Sequence, residues 1–224
     1  MTTLYPIEQT PVVVRMVDSE SALRAAVQVR HRAYARHLPE LAESLQEPEP
    51  LDRQPGVAVL LVERKDDGEP VGTMRIQLSR PGPLALAGSI EMPHWLRGQL
   101  LAEATRLAID ASGRHRRLVK AMLFKAFYRH CLQCAVDWMV ITARPPLDRQ
   151  YESLLFVDVF PGQPPIAMRH VGNVPHRVLA FEMATADRRW REAGHPLYGF
   201  FCRTVHPDVR VGLPMGAGSG PTEG

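Results

Sequence analysis

The chain has 224 residues, 45% of them hydrophobic and 23% charged, with a net charge of +3. This is the make-up of one sizeable globular domain with extensions, and the modest charge argues against nucleic acid as the default partner. Three cysteines are too few for a disulfide framework, and no apolar run reaches membrane-spanning length.

Residues 1–10 read as a lead-in with neither the basic segment nor the apolar stretch of a secretion signal, so a cytoplasmic protein is expected. Residues 12–17 (VVVRMV) form a short strand. Asp18 or Ser19 then offers an N-cap to a helix over 21–38, with Glu20 in its first turn. Leu23, Ala26, Val27, Arg30 and Tyr34 follow helical spacing, so an arginine and a tyrosine share the apolar face. Arg30 either snorkels to the surface or floors a polar site. Residues 39–56 are acidic and proline-rich. They predict a helical turn and a long loop of the lid or binding kind, with Asp52 its most interesting acid.

Residues 57–64 (VAVLLVER) and 71–78 (VGTMRIQL) flank the turn signal Lys65-Asp66-Asp67-Gly68 and form a hairpin. Alternation puts Thr73, Arg75 and Gln77 on one face and Gly72, Met74, Ile76 and Leu78 on the other. Residues 80–88 break regular structure, and 90–101 carry Trp95, expected in the core.

Residues 103–130 (EATRLAIDASGRHRRLVKAMLFKAFYRH) organise the rest of the chain. A strand over 103–109 leads into turn chemistry at Asp110 to Gly113, a basic run, and a helix from about Leu118. A helix start already carries partial positive charge and free N–H groups. Arg114, Arg116 and Arg117 there, with Lys120 beyond them, call for an anion, phosphate first. The alternative is a solvated basic turn. Lys125 and Arg129 extend the patch, while Leu118, Met122, Leu123, Ala126 and Phe127 form a core stripe. Cys131 and Cys134, a C-x-x-C inside the helix, read as structural thiols rather than metal ligands.

Residues 137–143 (DWMVITA) form a strand ended by Pro145-Pro146. A short helix over 147–155 carries Tyr151. Strands follow at 156–160, 166–170 and 177–183, then a short helix over 185–193. The expected organisation is a main domain over 11–183, a C-terminal helical extension over 184–210 and a disordered tail over 211–224. The order predicts an α+β fold, an α-β-α sandwich on a mixed, mostly antiparallel sheet. The long helix crosses between parallel neighbours that splay at the basic turn.

Taken in order, several pieces carry a resemblance. They are R-x-x-x-Y at Arg30 and Tyr34, Asp52 in the next loop, G-T-M-R-I at 72–76, E-A-T-R-L at 103–107 and the Tyr151 helix before Phe156. Together they resemble the N-acyl amino acid synthases of the GNAT acyltransferase fold and, more remotely, the acyl-homoserine-lactone autoinducer synthases. The resemblance implies a long-chain fatty acyl donor on 4'-phosphopantetheine, either acyl carrier protein or acyl-coenzyme A. That donor would be a substrate, not a resident cofactor, and the acceptor would be the amine of an amino acid or similar molecule. The basic run lacks the glycines of the ordinary GNAT pyrophosphate loop, R/Q-x-x-G-x-G/A, which fits the carrier-protein branch. Leu155 stands where many GNAT proteins have glycine in Y-x-x-L-G-F.

Making an amide from a thioester requires the amine to lose a proton, the carbonyl oxygen to be held, and the thiolate to leave. On this resemblance Glu103 is the candidate base; otherwise it only pairs with Arg106 or Arg75. Arg75 and Arg106 bind the acceptor carboxylate, or pair structurally with Glu103 and Asp52. Arg30, Tyr34 and Asp52 shape the pocket, and Tyr151 is a proton donor to the thiolate or simply a packed aromatic. Arg114, Arg116, Arg117 and Lys120 meet the carrier protein or its phosphate. Two alternatives stay open: an acetyl-coenzyme A-dependent small-acyl acetyltransferase, and a catalytically idle GNAT-like binding module.

Overall fold

A computed structural model describes residues 5–212 of the chain, except for the side chains of residues 113 and 114. Along it run β1 (Val12–Met16), α1 (Glu20–Ala35), α2 (Pro39–Glu43), β2 (Val57–Arg64), β3 (Pro70–Leu78), β4 (Leu101–Ile109) and α3 (Gly113–Gln133). Then come β5 (Trp138–Ala143), α4 (Asp148–Glu152), β6 (Val157–Asp158), β7 (Ile166–Met168), β8 (Val174–Glu182), α5 (Ala186–Glu192) and β9 (Val209–Arg210). The sheet runs β6-β8-β5-β4-β3-β2-β1-β9, with β7 beside β8. Its neighbours are antiparallel except β4–β5 and β1–β9.

Local chemistry explains the framework. The Ser19 hydroxyl accepts the Ala22 N–H and caps α1, as the sequence signal requires. Gly68 closes the β2–β3 hairpin at φ +73°, a conformation glycine adopts freely. Gly72 lets α3 lie directly on β3, because a Cβ there would stand 2.5 Å from Val119 Cγ1. One face of the sheet is covered by α3 and α5, over a core that includes Met74, Met122, Phe127, Phe181 and Trp190. The opposite face carries two separate apolar patches. Ala22, Leu23 and Ala26 of α1 sit on Val59 and Leu61. Leu84, Leu86 and Met168 sit on Leu101, Val140 and Val178.

The expected crossover β4-α3-β5 is present, but β4 and β5 pair only between Leu101–Ala104 and Trp138–Ile141. Beyond that point β4 stays with β3 and β5 stays with β8. The strands part at a β-bulge. The step from Thr73 to Arg75 on β3 faces the longer step from Ala108 to Thr105 on β4, and the extra residue, Arg106, has φ +53°. A left-handed arginine costs about 1–2 kcal/mol, so tertiary contacts must hold it there.

Four expectations are corrected. The long helix begins at Gly113, not near Leu118, so the arginine run lies within its first turns. The C-terminal extension is not purely helical: after α5 and a π-helical turn at Gly199–Arg203, β9 pairs with β1. Val211, placed at the start of the tail, is 2% exposed in the core, and the rest of that tail call, 213–224, lies outside the described residues. Trp95 is 41% exposed and meets Trp138 edge-on instead of joining the core. Among the described residues no helix is long and apolar enough to cross a membrane.

Candidate functional site

Between the two apolar patches the sheet face is polar. The pairs Arg75↔Thr105 and Gln77↔Glu103 put these four side chains on it, as the alternation predicts for β3. The bulge adds Arg106 to the same side. Arg30 descends from α1, and the loop between α2 and β2 supplies Glu49 and Asp52.

These groups form one network. Arg30 NH1 donates to both Asp52 oxygens, at 2.9 and 2.8 Å. Arg75 donates to Thr105 Oγ1 at 3.0 Å, Glu49 Oε2 at 3.0 Å and Asp52 Oδ1 at 3.3 Å. Arg106 grips Glu49 with both fork nitrogens, at 2.7 and 2.6 Å, and reaches the His170 carbonyl at 3.0 Å. Arg30 and Arg75 are each 1% exposed. Buried charges persist only when paired, and here three guanidiniums meet two carboxylates. Burial pushes the Glu49 carboxyl up, but the Arg106 fork and the charges of Arg75 and Arg30 outweigh it and hold it at about 2. Arg30 Nε, Arg30 NH2 and Arg106 NH1 are buried donors without a partner.

Glu103 stands apart. It is fully buried. One oxygen accepts the Leu86 N–H at 3.1 Å, and Oε1 has no hydrogen-bond partner. It makes no ion pair with Arg75 or Arg106, contrary to the pairing alternative; Glu49 and Asp52 take those arginines instead. Burial pushes its carboxyl up to about 7, against the Leu86 N–H and the charge of Arg75. A carboxyl poised near neutrality is suited to accept a proton. His170 Nε2 lies 3.9 Å from the free oxygen of Glu103, Oε1. Burial and the charge of Arg106 hold that imidazole down to about 4. The 3₁₀ turns Ala85–Gly88 and Arg169–Val171 close over the pair.

Tyr34 follows Arg30 by one turn of α1 and is half-buried. Tyr151 packs against Phe124 and Phe156, with ring centroids 5.6 and 6.2 Å away. Burial pushes its phenol well up, so it stays protonated and is a donor before it is an acid. Leu155 sits at φ +69°: the backbone keeps a glycine-like conformation where the side chain departs from glycine.

At the start of α3, Arg116 and Arg117 are exposed. Lys120 is half-buried, reaches Gln150 of α4, and is lowered by burial and by Arg116. The side chain of Arg114 lies outside the described residues. Asp110, the acid that precedes the run in sequence, is committed to Arg32 of α1 and to Arg36 just past its end. Lys125 and Arg129 do not extend the patch. Lys125 is 2% exposed and donates to the carbonyls of Phe200 and Thr204, and Arg129 donates to that of Val209. A cavity of about 790 Å³ lies beside this helix start, lined by Lys65, Asp110, Ser112, His115 and Val119 among others. A second, of about 520 Å³, lies under Trp95 and Trp138. Glu103 lines neither.

The sequence singles out Arg30, Tyr34, Asp52, Arg75, Glu103 and Arg106 as candidates, and the structure brings them to one face. It misses Glu49 and His170. Glu49 lies three residues before Asp52 in the same acidic loop, which was a usable signal. His170 carries none, because its contacts with Glu103 and Arg106 cross more than sixty residues of chain.

Against known proteins, the family model described as N-acyl amino acid synthase FeeM matches residues 25–182. No curated protein matches by sequence. Among solved structures, FeeM, an N-acyl amino acid synthase from uncultured soil microbes, is 18% identical, with TM-score 0.66 over 84% of this chain and 96% of that one. The acyl-homoserine-lactone synthase LasI is 15% identical, with TM-score 0.55 over 77% and 90%. BjaI, a CoA-dependent acyl-homoserine lactone synthase solved with SAM and isopentyl-CoA, is 16% identical, with TM-score 0.53 over 87% and 93%.

Proposed function

The chain belongs to the FeeM family of N-acyl amino acid synthases and is an N-acyltransferase; from that premise we propose that it moves a long-chain fatty acyl group from acyl carrier protein to the amine of an amino acid. The observation that carries this reading is Glu103, a buried carboxyl near neutrality with one unpartnered oxygen, beside arginines that outnumber their acidic partners. In the reaction the amine nitrogen attacks the thioester carbonyl. Glu103 takes the amine proton, directly or through water; the C–N bond forms, the C–S bond breaks, and the thiolate leaves. Tyr151 donates to the departing sulfur. The surplus guanidinium donors of Arg30 and Arg106 suit an acceptor that brings its own carboxylate. Arg114, Arg116, Arg117 and Lys120 are assigned to the donor's phosphate or the acidic carrier surface. Acyl-coenzyme A is the second donor reading, favoured by the fold shared with BjaI.

The test is incubation with carrier protein loaded with C12 to C16 chains and mixed amino acids, with acyl-coenzyme A in competition, read by mass spectrometry. N-acyl amino acids are expected, drawn first from the carrier protein. Glu103→Gln should lower kcat/KM by about 10²-fold or more. No amide product, or a Glu103→Gln variant equal to wild type, refutes the reading.

A further inference from the structure

The cover over Glu103 has an internal logic. The turn Ala85–Gly88 serves one carboxylate oxygen through the Leu86 N–H. The turn Arg169–Val171 brings His170 to the other, with Nε2 3.9 Å from Oε1. The two turns are tied together, since the Arg169 N–H donates to Ser89 Oγ at 2.8 Å. His170 is itself fixed at two points. Its carbonyl accepts Arg106 at 3.0 Å, and its Nε2 lies 3.4 Å from Thr142 Oγ1. Both Glu103 Oε1 and His170 Nδ1 are buried without a hydrogen-bond partner. Buried polar atoms are rarely left so, and a shift of about 1 Å closes the Nε2 to Oε1 gap to hydrogen-bond length.

We propose that His170 is a positioning residue for Glu103: its neutral imidazole presents Nε2–H to the free carboxylate oxygen and so fixes that group's orientation and basicity. This rests on the reading of Glu103 as the base. The groups facing Glu103 are Arg75 from β3, Arg106 from β4 and His170 from the covering turn. Those facing His170 are Arg106, Arg75, His176 from β8 and Glu49 from the acidic loop. Burial, the arginines and His176 disfavour an imidazolium and outweigh Glu49, which favours it, as an ionised Glu103 would. The imidazole thus remains neutral, a donor at Nε2 with Nδ1 bare. Such a donor stabilises the ionised carboxylate over the protonated one.

The experiment is the pH dependence of kcat/KM for the full chain with acyl carrier protein donor, in wild type, His170→Leu, His170→Gln and Glu103→Gln. The acid limb of wild type is expected near pH 7. His170→Leu should move it up by about one pH unit. His170→Gln, whose amide reaches where Nε2 stands, should bring it back. If His170→Leu does not fold, as judged by circular dichroism, His170→Asn, too short to reach Oε1, takes its place with the same expectation. A folded His170→Leu or His170→Asn variant whose limb stays at the wild-type pH overturns the proposal. If Glu103→Gln retains full activity, the base reading itself fails. If Glu103→Gln is inactive while the limb of the His170 variant is unmoved, only the positioning role fails.

Discussion

Burying a carboxyl without an ion-pair partner raises the free energy of its charged form, and Glu103 is placed in that way at 0% exposure. In the unfolded chain it titrates near 4.5; in the folded protein it titrates at about 7. The folded state therefore holds this proton more tightly. Its contribution to stability is fully present below about pH 4.5, shrinks as pH rises, and is lost above about pH 7. A separation of that size corresponds to about 3 kcal/mol. Glu103→Gln cannot ionise and should escape the loss. In urea unfolding it should exceed wild type by about 2–3 kcal/mol at pH 8, and the advantage should vanish at pH 4.5. A variant no more stable than wild type at pH 8 shows that the buried carboxylate is not destabilising. Glu49 runs the other way. Held at about 2 by Arg106, Arg75 and Arg30 against its own burial, it stabilises the fold above about pH 4.5 and ceases to as pH falls through about 2. Two acids on one sheet face thus have opposite pH signatures, one suited to structure and one to proton transfer.

At the scale of the element, the start of α3 sets helix stability against function. Ser112 occupies the N-cap position without a side-chain cap bond, and Arg116 and Arg117 put positive charge where the helix dipole is already positive. Replacing both with glutamate should stabilise the helix by about 0.3–1 kcal/mol for each favourable charge. If the arginines dock an anionic donor, the same double variant should raise donor KM more than tenfold at low salt, with the gap closing as salt screens the contact. Higher stability with unchanged donor kinetics rejects the docking role; acceptor KM serves as the internal control. What was legible in the sequence follows from period and locality. The β2–β3 hairpin and its two faces, the α1 cap and the core stripe of α3 are written in neighbours two to four residues apart. The α3 start was misplaced because glycine and three basic residues are poor helix openers by local chemistry, yet the chain enters the helix at Gly113. The bulge at Arg106 leaves no local mark, since an arginine at φ +53° is held by Glu49 and the His170 carbonyl, both far away in sequence. The same distance hid His170, whereas the pattern of charged residues on β3 and β4 placed Arg75, Glu103 and Arg106 among the candidates.

At the scale of the molecule, the segment after α5 is part of the main fold. β9 covers the edge of β1, where an open strand edge would invite pairing with other chains. Asp208 accepts the Thr10 N–H at 2.7 Å and meets Lys65 Nζ at 2.6 Å. Phe201, Val209 and Val211 share one core with Phe127 and Trp190. From the middle of α3, Lys125 sends its ammonium to the carbonyls of Phe200 and Thr204 and to His206, so one helix fixes the extension along its length while presenting Arg116 at its start. An extension integrated in this way should unfold with the domain. Lys125→Met keeps the stem's packing and leaves two carbonyls without their donor, each worth about 1–3 kcal/mol when buried and unsatisfied. The variant should lose about 2–4 kcal/mol while still melting in a single transition, with tryptophan fluorescence, made to report Trp190 alone by a Trp95→Phe and Trp138→Phe background, coincident with far-ultraviolet circular dichroism. A separate early transition in fluorescence alone would mean that the extension is a detachable appendage, and that the α3 core ends short of Phe201.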